Sequence, residues 1–284
     1  MGRPRAQHRR YPLRPERRHF GREGSPAFGP GFSRVTDNAA VGGGAAGRLE
    51  LCAVMPVYNE EEIVGEVAES WLEVLDSLGV DYELVAIVDG ATDASEQVLR
   101  AVAERHPRLV VDVKPNSGHG PTILRGYRRA VVTADWVFQT DSDDEMPAAS
   151  FSDLWELRHQ ADAVIGIRTS RNQAPGRRAI TRAARFTARV AFGCRLADVN
   201  CPYRLMRSTA LAPLLAPIPD DTFAPNVAIS GMLSRSGVRL AEVPVPHHDR
   251  TTGVVSILGR RALRAALRSF AQTVRLSRTR VLAD

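Results

Sequence analysis

Four acidic residues stand within five positions directly after a short apolar run. The run 136–138 is followed by Asp141, Asp143, Asp144 and Glu145. Carboxylates clustered at the end of a buried strand are unfavourable unless a positive group lies beside them. Two carboxylates one residue apart suit a hard divalent cation, which prefers oxygen ligands and usually also holds substrate phosphates. Taken alone, the segment leaves open a second interpretation, an acidic loop that caps the next helix.

Polar loops also follow three earlier apolar runs. The runs 51–57, 82–88 and 109–113 lead into the loops 56–60, 89–93 and 116–120. Apolar residues at helical spacing lie between the runs. Repeated strand–helix units with short loops predict an α/β fold, a mostly parallel sheet with helices on both faces. Ligands bind beyond the carboxyl ends of such strands, so we expect all four loops to meet at one rim.

The second half of the chain has a weaker pattern. It predicts strands at 163–167 and 238–243 and a helix at 223–233. Two arginine-rich segments, 171–195 and 257–281, carry apolar residues at helical spacing. Helices of this kind can lie on an anionic membrane, and they can equally pack on a domain with their arginines in water.

Composition limits the function classes. The 284 residues are 44% hydrophobic, enough for a substantial core, and carry a net charge of +6. Lys114 is the only lysine, so 38 − 1 = 37 of the basic residues are arginines, whose planar fork suits phosphate groups. Aromatic residues make up only 6%, so interleaved stacking residues are lacking and we expect no nucleic-acid partner.

Three cysteines without metal-site spacing fit a reducing, cytoplasmic location. We expect no signal peptide and no membrane span, because no apolar run approaches about 20 residues. The predicted organisation is a disordered basic tail at 1–47, one α/β domain at 48–256 and a basic amphipathic helix at 257–284.

The motifs at 54–60, 88–93, 116–120 and 141–143, in this order, resemble the family 2 glycosyltransferases of the GT-A fold, a Rossmann-like architecture. Within that family the chain is most similar to the polyprenyl-phosphate and dolichyl-phosphate sugar transferases, over about residues 50–257. The resemblance implies a metal-dependent hexosyltransferase that uses a UDP- or GDP-sugar donor, with inversion, and a polyprenyl phosphate acceptor. A soluble small-molecule or natural-product hydroxyl remains the alternative acceptor.

The same resemblance implies the site residues. Asp141 and Asp143 would bind Mg²⁺ or Mn²⁺ and act in catalysis, together with Arg250 and with Asp221 as a candidate base. Further donor contacts are implied at Pro56, Tyr58, Glu60, Ile87, Asp89, Ser142, Glu145, Arg168, Arg250 and Ser256. The implied location is cytoplasmic, at the inner face of the membrane, with membrane-surface contact.

Four sites depart from the family pattern, one of them Glu145, where close relatives often have Gln or Ser. Val88 replaces the first of two acids, and Cys201-Pro202-Tyr203 replaces Ser/Cys-Gly-Phe on the side expected for the acceptor. Where inverting members carry a Glu-Asp pair as base, this chain has Asp220-Asp221. An ionised phosphate acceptor needs little help from a base, whereas a hydroxyl acceptor needs one.

Overall fold

The computed structural model describes residues 47–169, 175–248 and 260–278. The strands in these ranges are β1 (Leu49–Val57), β2 (Tyr82–Asp89), β3 (Leu109–Lys114), β4 (Ala134–Gln139), β5 (Ala163–Thr169), β6 (Arg204–Arg207) and β7 (Leu240–Pro246). The α-helices are α1 (Val64–Ser77), α2 (Ser95–Ala103), α3 (His119–Thr133), α4 (Phe151–Leu157), α5 (Pro175–Phe192), α6 (Ser208–Leu215), α7 (Pro225–Arg235) and α8 (Arg260–Ser277).

All seven strands form one sheet in the order β3-β2-β1-β4-β6-β5-β7. Strands β1 to β4 run parallel, β6 is antiparallel to β4 and β5, and β7 is parallel to β5. The expected mostly parallel α/β sheet is therefore confirmed. Because β6 alone is reversed, the carboxyl ends of the other six strands share one rim.

The central strands are buried on both faces, which explains their continuous apolar sequence. Every side chain from Leu51 to Met55 has no exposed surface. Helix α3 crosses this layer closely, since a Cβ on Gly126 would lie 2.2 Å from Cγ1 of Val54. Aromatic rings fill the opposite side, with the Phe138 ring centroid 5.1 Å from that of Trp71 and 4.4 Å from that of Phe151.

Two predicted boundaries shift for physical reasons. The apolar spacing from Glu60 to Leu78 predicts a helix capped by Asn59, but α1 begins at Val64, because Asn59 has a positive φ of 55° and does not cap the helix. Strand β7 continues past residue 243 to Pro246. The extra prolines are tolerated because β7 lies at the sheet edge, with β5 as its neighbour on one side.

The predicted C-terminal segment contains α8, which packs against α5 and α7. In the described part of the chain, no helix combines the length and apolar character needed to cross a bilayer. Most of the predicted tail, residues 1–46, lies outside the described residues, as do 170–174, 249–259 and 279–284. The predicted domain limits at 47 and 256 therefore stay predictions.

Candidate functional site

The loops after β1 and β2 are tied together at the shared rim. Asn59 Oδ1 accepts a 2.8 Å hydrogen bond from the backbone N–H of Thr92. The N–H of Glu61 donates to Asp93 Oδ2 at 3.0 Å, and Glu61 Oε2 accepts from the N–H of Ala94 at 2.7 Å. These reciprocal contacts fix the shape of the rim without any ligand.

Asp89, at the end of β2, organises the loop that follows β3. It is buried, and its two oxygens accept hydrogen bonds from Lys114 Nζ, from the N–H of Ser117 (2.8 Å) and from the N–H of Gly118 (2.9 Å). Burial pushes the pKa of Asp89 upward, but Lys114 and the two N–H groups outweigh it and hold the pKa below its ordinary value. Both carboxylate oxygens are thus satisfied by the protein itself.

Gly90 permits this close approach of the two loops. Its φ is 60°, and a Cβ there would lie 2.5 Å from the backbone N of Asn116. Asn116 Nδ2 in turn donates to the carbonyl of Asp89 at 2.9 Å. A side chain at position 90 would separate the β2 and β3 loops.

Asp141, after β4, has a different environment. Its Oδ1 is buried and has no hydrogen-bond partner, and Nε2 of His119 lies 3.9 Å from it. Asp143 Oδ1 accepts from the N–H of Glu145 at 3.3 Å. A buried carboxylate oxygen without a donor is costly, and a bound cation would satisfy it. This carboxylate oxygen suits a divalent ion that prefers oxygen ligands, and a bound substrate would have to supply further ligands, because the described residues contain no cluster of three protein ligands.

Glu145 connects this loop with the end of β7. Its Oε2 lies 2.9 Å from Nε2 of His247, and its carbonyl accepts from the N–H of His248 at 2.8 Å. The His247 side chain is 93% buried, and its Nδ1 has no hydrogen-bond partner. Together with Asp141 Oδ1 and with Nε2 of Gln139 at the end of β4, it is one of three such buried side-chain atoms in the described residues.

Arg168, at the end of β5, forms a buried bidentate pair with Asp198, with N–O distances of 2.7 and 2.9 Å. Burial acts to lower the pKa of Arg168, but Asp198 outweighs it and raises the pKa, with smaller contributions from Cys201 and Asp141. The positive charge of Arg168 is thus paired with the carboxylate of Asp198 inside the protein.

Asp221 lies at the outer edge of the site. Its carboxylate accepts from Arg268 of α8 at 2.6 Å and is largely exposed. Thr222 and Phe223, the next two residues, contact the start of α3. A Cβ on Gly120 would lie 2.1 Å from the carbonyl oxygen of Thr222. The predicted base is therefore engaged in an ion pair with α8.

The remaining predicted residues divide by exposure. Tyr58 is 42% exposed at the rim, whereas Pro56, Glu60 and Ser142 are buried beside it. Ile87 has no exposed surface, and its Cδ1 faces Gly126 of α3. The Ile87 side chain therefore belongs to the core, and its contact with the nucleotide stays a prediction. Arg250 and Ser256 lie outside the described residues.

The segment Cys201-Pro202-Tyr203, which departs from the family pattern, lies in the core. Cys201 and Tyr203 have no exposed surface, and the Tyr203 ring packs 5.0 Å from that of Phe138. The Tyr203 hydroxyl donates to the carbonyl of Pro147. The side chains of Cys201 and Tyr203 therefore belong to the core, and the effect of this segment on acceptor choice stays a prediction.

Sequence reasoning assigned no role in the site to Lys114 or Asp198. Lys114 ends β3 at the same rim as Asp89, and that position was the available signal. No sequence signal pointed to Asp198, because its pairing with Arg168 spans 30 residues. A buried network beneath Asp141, in which Gln139 bonds both Tyr127 and Asn226, was equally hidden because Asn226 lies 87 residues away.

Taken together, a parallel-sheet rim with ordered loops, one unsatisfied aspartate and a neighbouring arginine defines a site for a charged ligand. The model of the family described as "Glycosyl transferase family 2" matches residues 52–215, more than half of the chain. The chain belongs to glycosyl transferase family 2.

Two relatives illustrate the similarity. The undecaprenyl-phosphate 4-deoxy-4-formamido-L-arabinose transferase of Edwardsiella ictaluri is 32% identical over 206 residues, which cover 72% of this chain and 61% of the relative. The enzyme of the same name from Pseudomonas paraeruginosa is 31% identical, over 72% of this chain and 59% of the relative. The chain thus spans about three fifths of the length of these relatives.

Solved structures support the fold. A glucosyl-3-phosphoglycerate synthase from Mycobacterium tuberculosis, in complex with Mn²⁺, UDP and phosphoglyceric acid, superposes with a TM-score of 0.62 at 20% identity. The match covers 83% of this chain and 80% of that protein. A complex of the same synthase with Mn²⁺ and UDP-glucose gives a TM-score of 0.59 at 18% identity, over 82% and 80% of the two chains.

Proposed function

We propose that this chain transfers a sugar from a nucleotide-sugar donor to a polyprenyl phosphate, using a divalent metal ion. The observation that carries the proposal is the buried, partnerless Oδ1 of Asp141 at a rim whose other loops are already ordered. Family membership supplies the reaction class, and the relatives named for undecaprenyl-phosphate sugar transfer supply the acceptor class.

Asp141 and Asp143 would hold the ion, either Mg²⁺ or Mn²⁺, which suit carboxylate oxygens equally. Bound there, the metal would offset the negative charge that gathers on the departing nucleoside diphosphate. The similarity to a synthase solved with Mn²⁺ and UDP-glucose agrees with this assignment but does not select the metal.

The protein groups would orient the donor. Tyr58 offers an exposed ring face at the mouth of the β1 and β2 loops, where a UDP or GDP base could stack. Asp89 would act through the 115–118 loop that it holds in place. Arg168 would add positive charge near the diphosphate. Arg250 and Ser256 are proposed as further donor contacts on sequence resemblance alone.

A phosphate acceptor agrees with the state of Asp221. A hydroxyl acceptor would require a free base, but the carboxylate of Asp221 is paired with Arg268. Polyprenyl phosphate is already ionised and can attack directly, which fits inversion at the anomeric carbon. We accordingly propose that the enzyme works at the cytoplasmic membrane surface, through a transferase domain at 48–256 followed by the basic helix.

The test is turnover of UDP- and GDP-sugars with Mn²⁺ or Mg²⁺ by the full chain. A short-chain polyprenyl phosphate should be glycosylated, and soluble alcohols should not. Transfer to alcohols at a comparable rate would overturn the acceptor assignment. Removal of the metal with a chelator should abolish transfer, and added Mn²⁺ or Mg²⁺ should restore it.

The loop after β4 contains two adjacent acids, Asp143 and Asp144, which give a test variant and a matched control. Asp143→Asn should reduce transfer by about a hundredfold or more, because it removes a carboxylate ligand of the metal ion that would offset the developing negative charge. Asp144→Asn, at the adjacent exposed acid, should retain the wild-type rate. Asparagine also tolerates the positive φ of 54° at position 144. Equal rates in the two variants would refute the metal assignment.

A further inference from the structure

Glu145 and His247 connect the loop after β4 with the end of β7. Nε2 of His247 lies 2.9 Å from Oε2 of Glu145, and the N–H of His248 donates to the carbonyl of Glu145 at 2.8 Å. Both side chains of the pair are largely buried. A side-chain contact and a backbone hydrogen bond therefore join the same two segments, and we call them together the Glu145–His247 clamp.

The clamp joins two strand ends that are not neighbours in the sheet. Strands β6 and β5 lie between β4 and β7. Three strand spacings are about 14 Å, so the loop after β4 crosses the ends of two other strands before it reaches His247. A segment that crosses strands takes no part in their hydrogen-bond ladder. The position of this loop therefore depends on the contacts of its own residues, and the clamp supplies the contacts to β7.

Both ends of this loop are anchored in the core. The N–H of Thr140 donates to the carbonyl of Val54 at 3.1 Å, and the side chain of Met146 is buried. Between these ends, Asp144 has a positive φ of 54°, a conformation that persists in a residue other than glycine where the surroundings hold it. The clamp holds the residue that directly follows Asp144, two positions after Asp143 of the candidate metal site.

The clamp also separates Glu145 from the other acids of the loop. Its Oε2 faces His247, and the described residues contain no group of three side chains arranged as ligands of one metal ion. Asp141, in contrast, keeps a buried oxygen without a hydrogen-bond partner. A carboxylate that is already hydrogen-bonded gains less from a cation than an unpartnered one does. Glu145 is thus placed to hold the loop, whereas Asp141 is placed to bind an ion.

We propose that His247 is a positioning residue for the metal site. By holding Glu145, it keeps the loop that carries Asp141 and Asp143 in the conformation that binds the divalent ion. Nδ1 of His247 is buried without a partner, which is unfavourable, so packing alone does not account for a histidine here, whereas the contact through Nε2 does. The inference deepens the proposed function and rests on its metal assignment, but the hold on the loop can be measured without metal, donor or acceptor.

Hydrogen exchange of the full chain without metal measures the hold on the loop. In His247→Ala we expect the amides of residues 141–146 to exchange about tenfold faster, because a hydrogen bond to a carboxylate is lost. His247→Gln should exchange at nearly the wild-type rate, since its amide N–H can replace Nε2 as the donor to Glu145. His248→Ala is the matched control, because it keeps the backbone N–H and removes only an exposed side chain.

Titration of the full chain with Mn²⁺ alone, followed by electron paramagnetic resonance, measures the consequence for the metal site. His247→Ala should raise the Kd for Mn²⁺ about tenfold, because the binding conformation of the loop is less populated. His247→Gln should stay near the wild-type value. Glu145→Ala should also raise the Kd, and adding His247→Ala to it should change nothing further, because His247 acts through Glu145. Transfer by His247→Ala should fall at limiting Mn²⁺ and recover at saturating Mn²⁺.

Three results would overturn the inference: unchanged exchange of the loop in His247→Ala, an equal acceleration in His248→Ala, or a further loss of Mn²⁺ affinity when His247→Ala is added to Glu145→Ala. Circular dichroism checks that each variant is folded. Absence of Mn²⁺ binding by the wild type would refute the proposed metal site and, with it, the role of His247 there. Unchanged exchange together with normal Mn²⁺ binding would refute the positioning role alone, so the two failures are distinguishable.

Discussion

Asp89 and Asp141 end neighbouring parts of the same sheet, yet their carboxylates are in opposite states. The protein supplies Asp89 with a lysine and two backbone N–H groups, whereas Asp141 keeps a buried oxygen without a partner. A satisfied carboxylate stabilises the loop around it, and an unsatisfied one is a place where a ligand adds stability. Asp89 therefore stabilises the loops of the rim, whereas Asp141 is available to bind a ligand.

The largest effect is expected at the unsatisfied member of the pair. Asp141→Asn should reduce turnover by about a hundred- to a thousandfold, because the amide holds a cation poorly. Its unfolding free energy should stay the same or rise, since a buried unpaired charge is removed. Steady-state kinetics and chemical denaturation of the apoprotein measure both quantities. A clear fall in the unfolding free energy of Asp141→Asn would contradict the proposed difference between Asp141 and Asp89.

Asp89→Asn should act in the opposite way, mainly on folding. It removes the partner of a nearly buried lysine, and we expect a loss of about 3 kcal/mol in the free energy of unfolding. The double variant with Lys114→Met should recover part of this loss, because neither charge is then left alone. Denaturation of the three variants gives the coupling; strictly additive losses would show that the pair does not act as a unit.

The pH dependence of the unfolding free energy also tests the stabilising role of Asp89. The pKa of Asp89 is lower in the folded protein than its ordinary value of 3.8. The contribution of the Asp89 carboxylate to the unfolding free energy is therefore complete above the ordinary pKa of 3.8. It is lost as the pH falls through the lower pKa of the folded protein. The stability difference between wild type and Asp89→Asn should shrink in acid, as denaturation between about pH 6 and pH 3 would measure. A difference that stays constant over this range contradicts the assignment.

The smallest effect concerns the outer edge of the site. Gln272→Ala removes the acceptor for the N–H of Phe223 and a donor to the carbonyl of Asp221. We expect a loss of about 1 kcal/mol in stability, together with slower transfer, because the 219–223 loop is held less firmly. Thermal unfolding and kinetics provide the test, and wild-type stability together with a wild-type rate of transfer would contradict it.

Family and fold were accessible from the sequence because they depend on local signals. Apolar runs of strand length, helical spacing and polar strand ends all lie within short windows, so β1 to β4 and their helices are found within a few residues. Helices α4 and α6 were missed, being only 7 and 8 residues long. The start of α1 was misplaced because the sequence does not reveal the positive φ of Asn59.

By itself, the sequence determined which acids, arginines and loops stand at strand ends, and hence the class of chemistry. Only the tertiary structure decided which of these groups are already paired: Asp89 with Lys114, Arg168 with Asp198, and Asp221 with Arg268. It also moved Ile87 and Tyr203 into the core. The physical reason is that pairing and burial depend on distances between residues far apart in the chain, which no local pattern encodes.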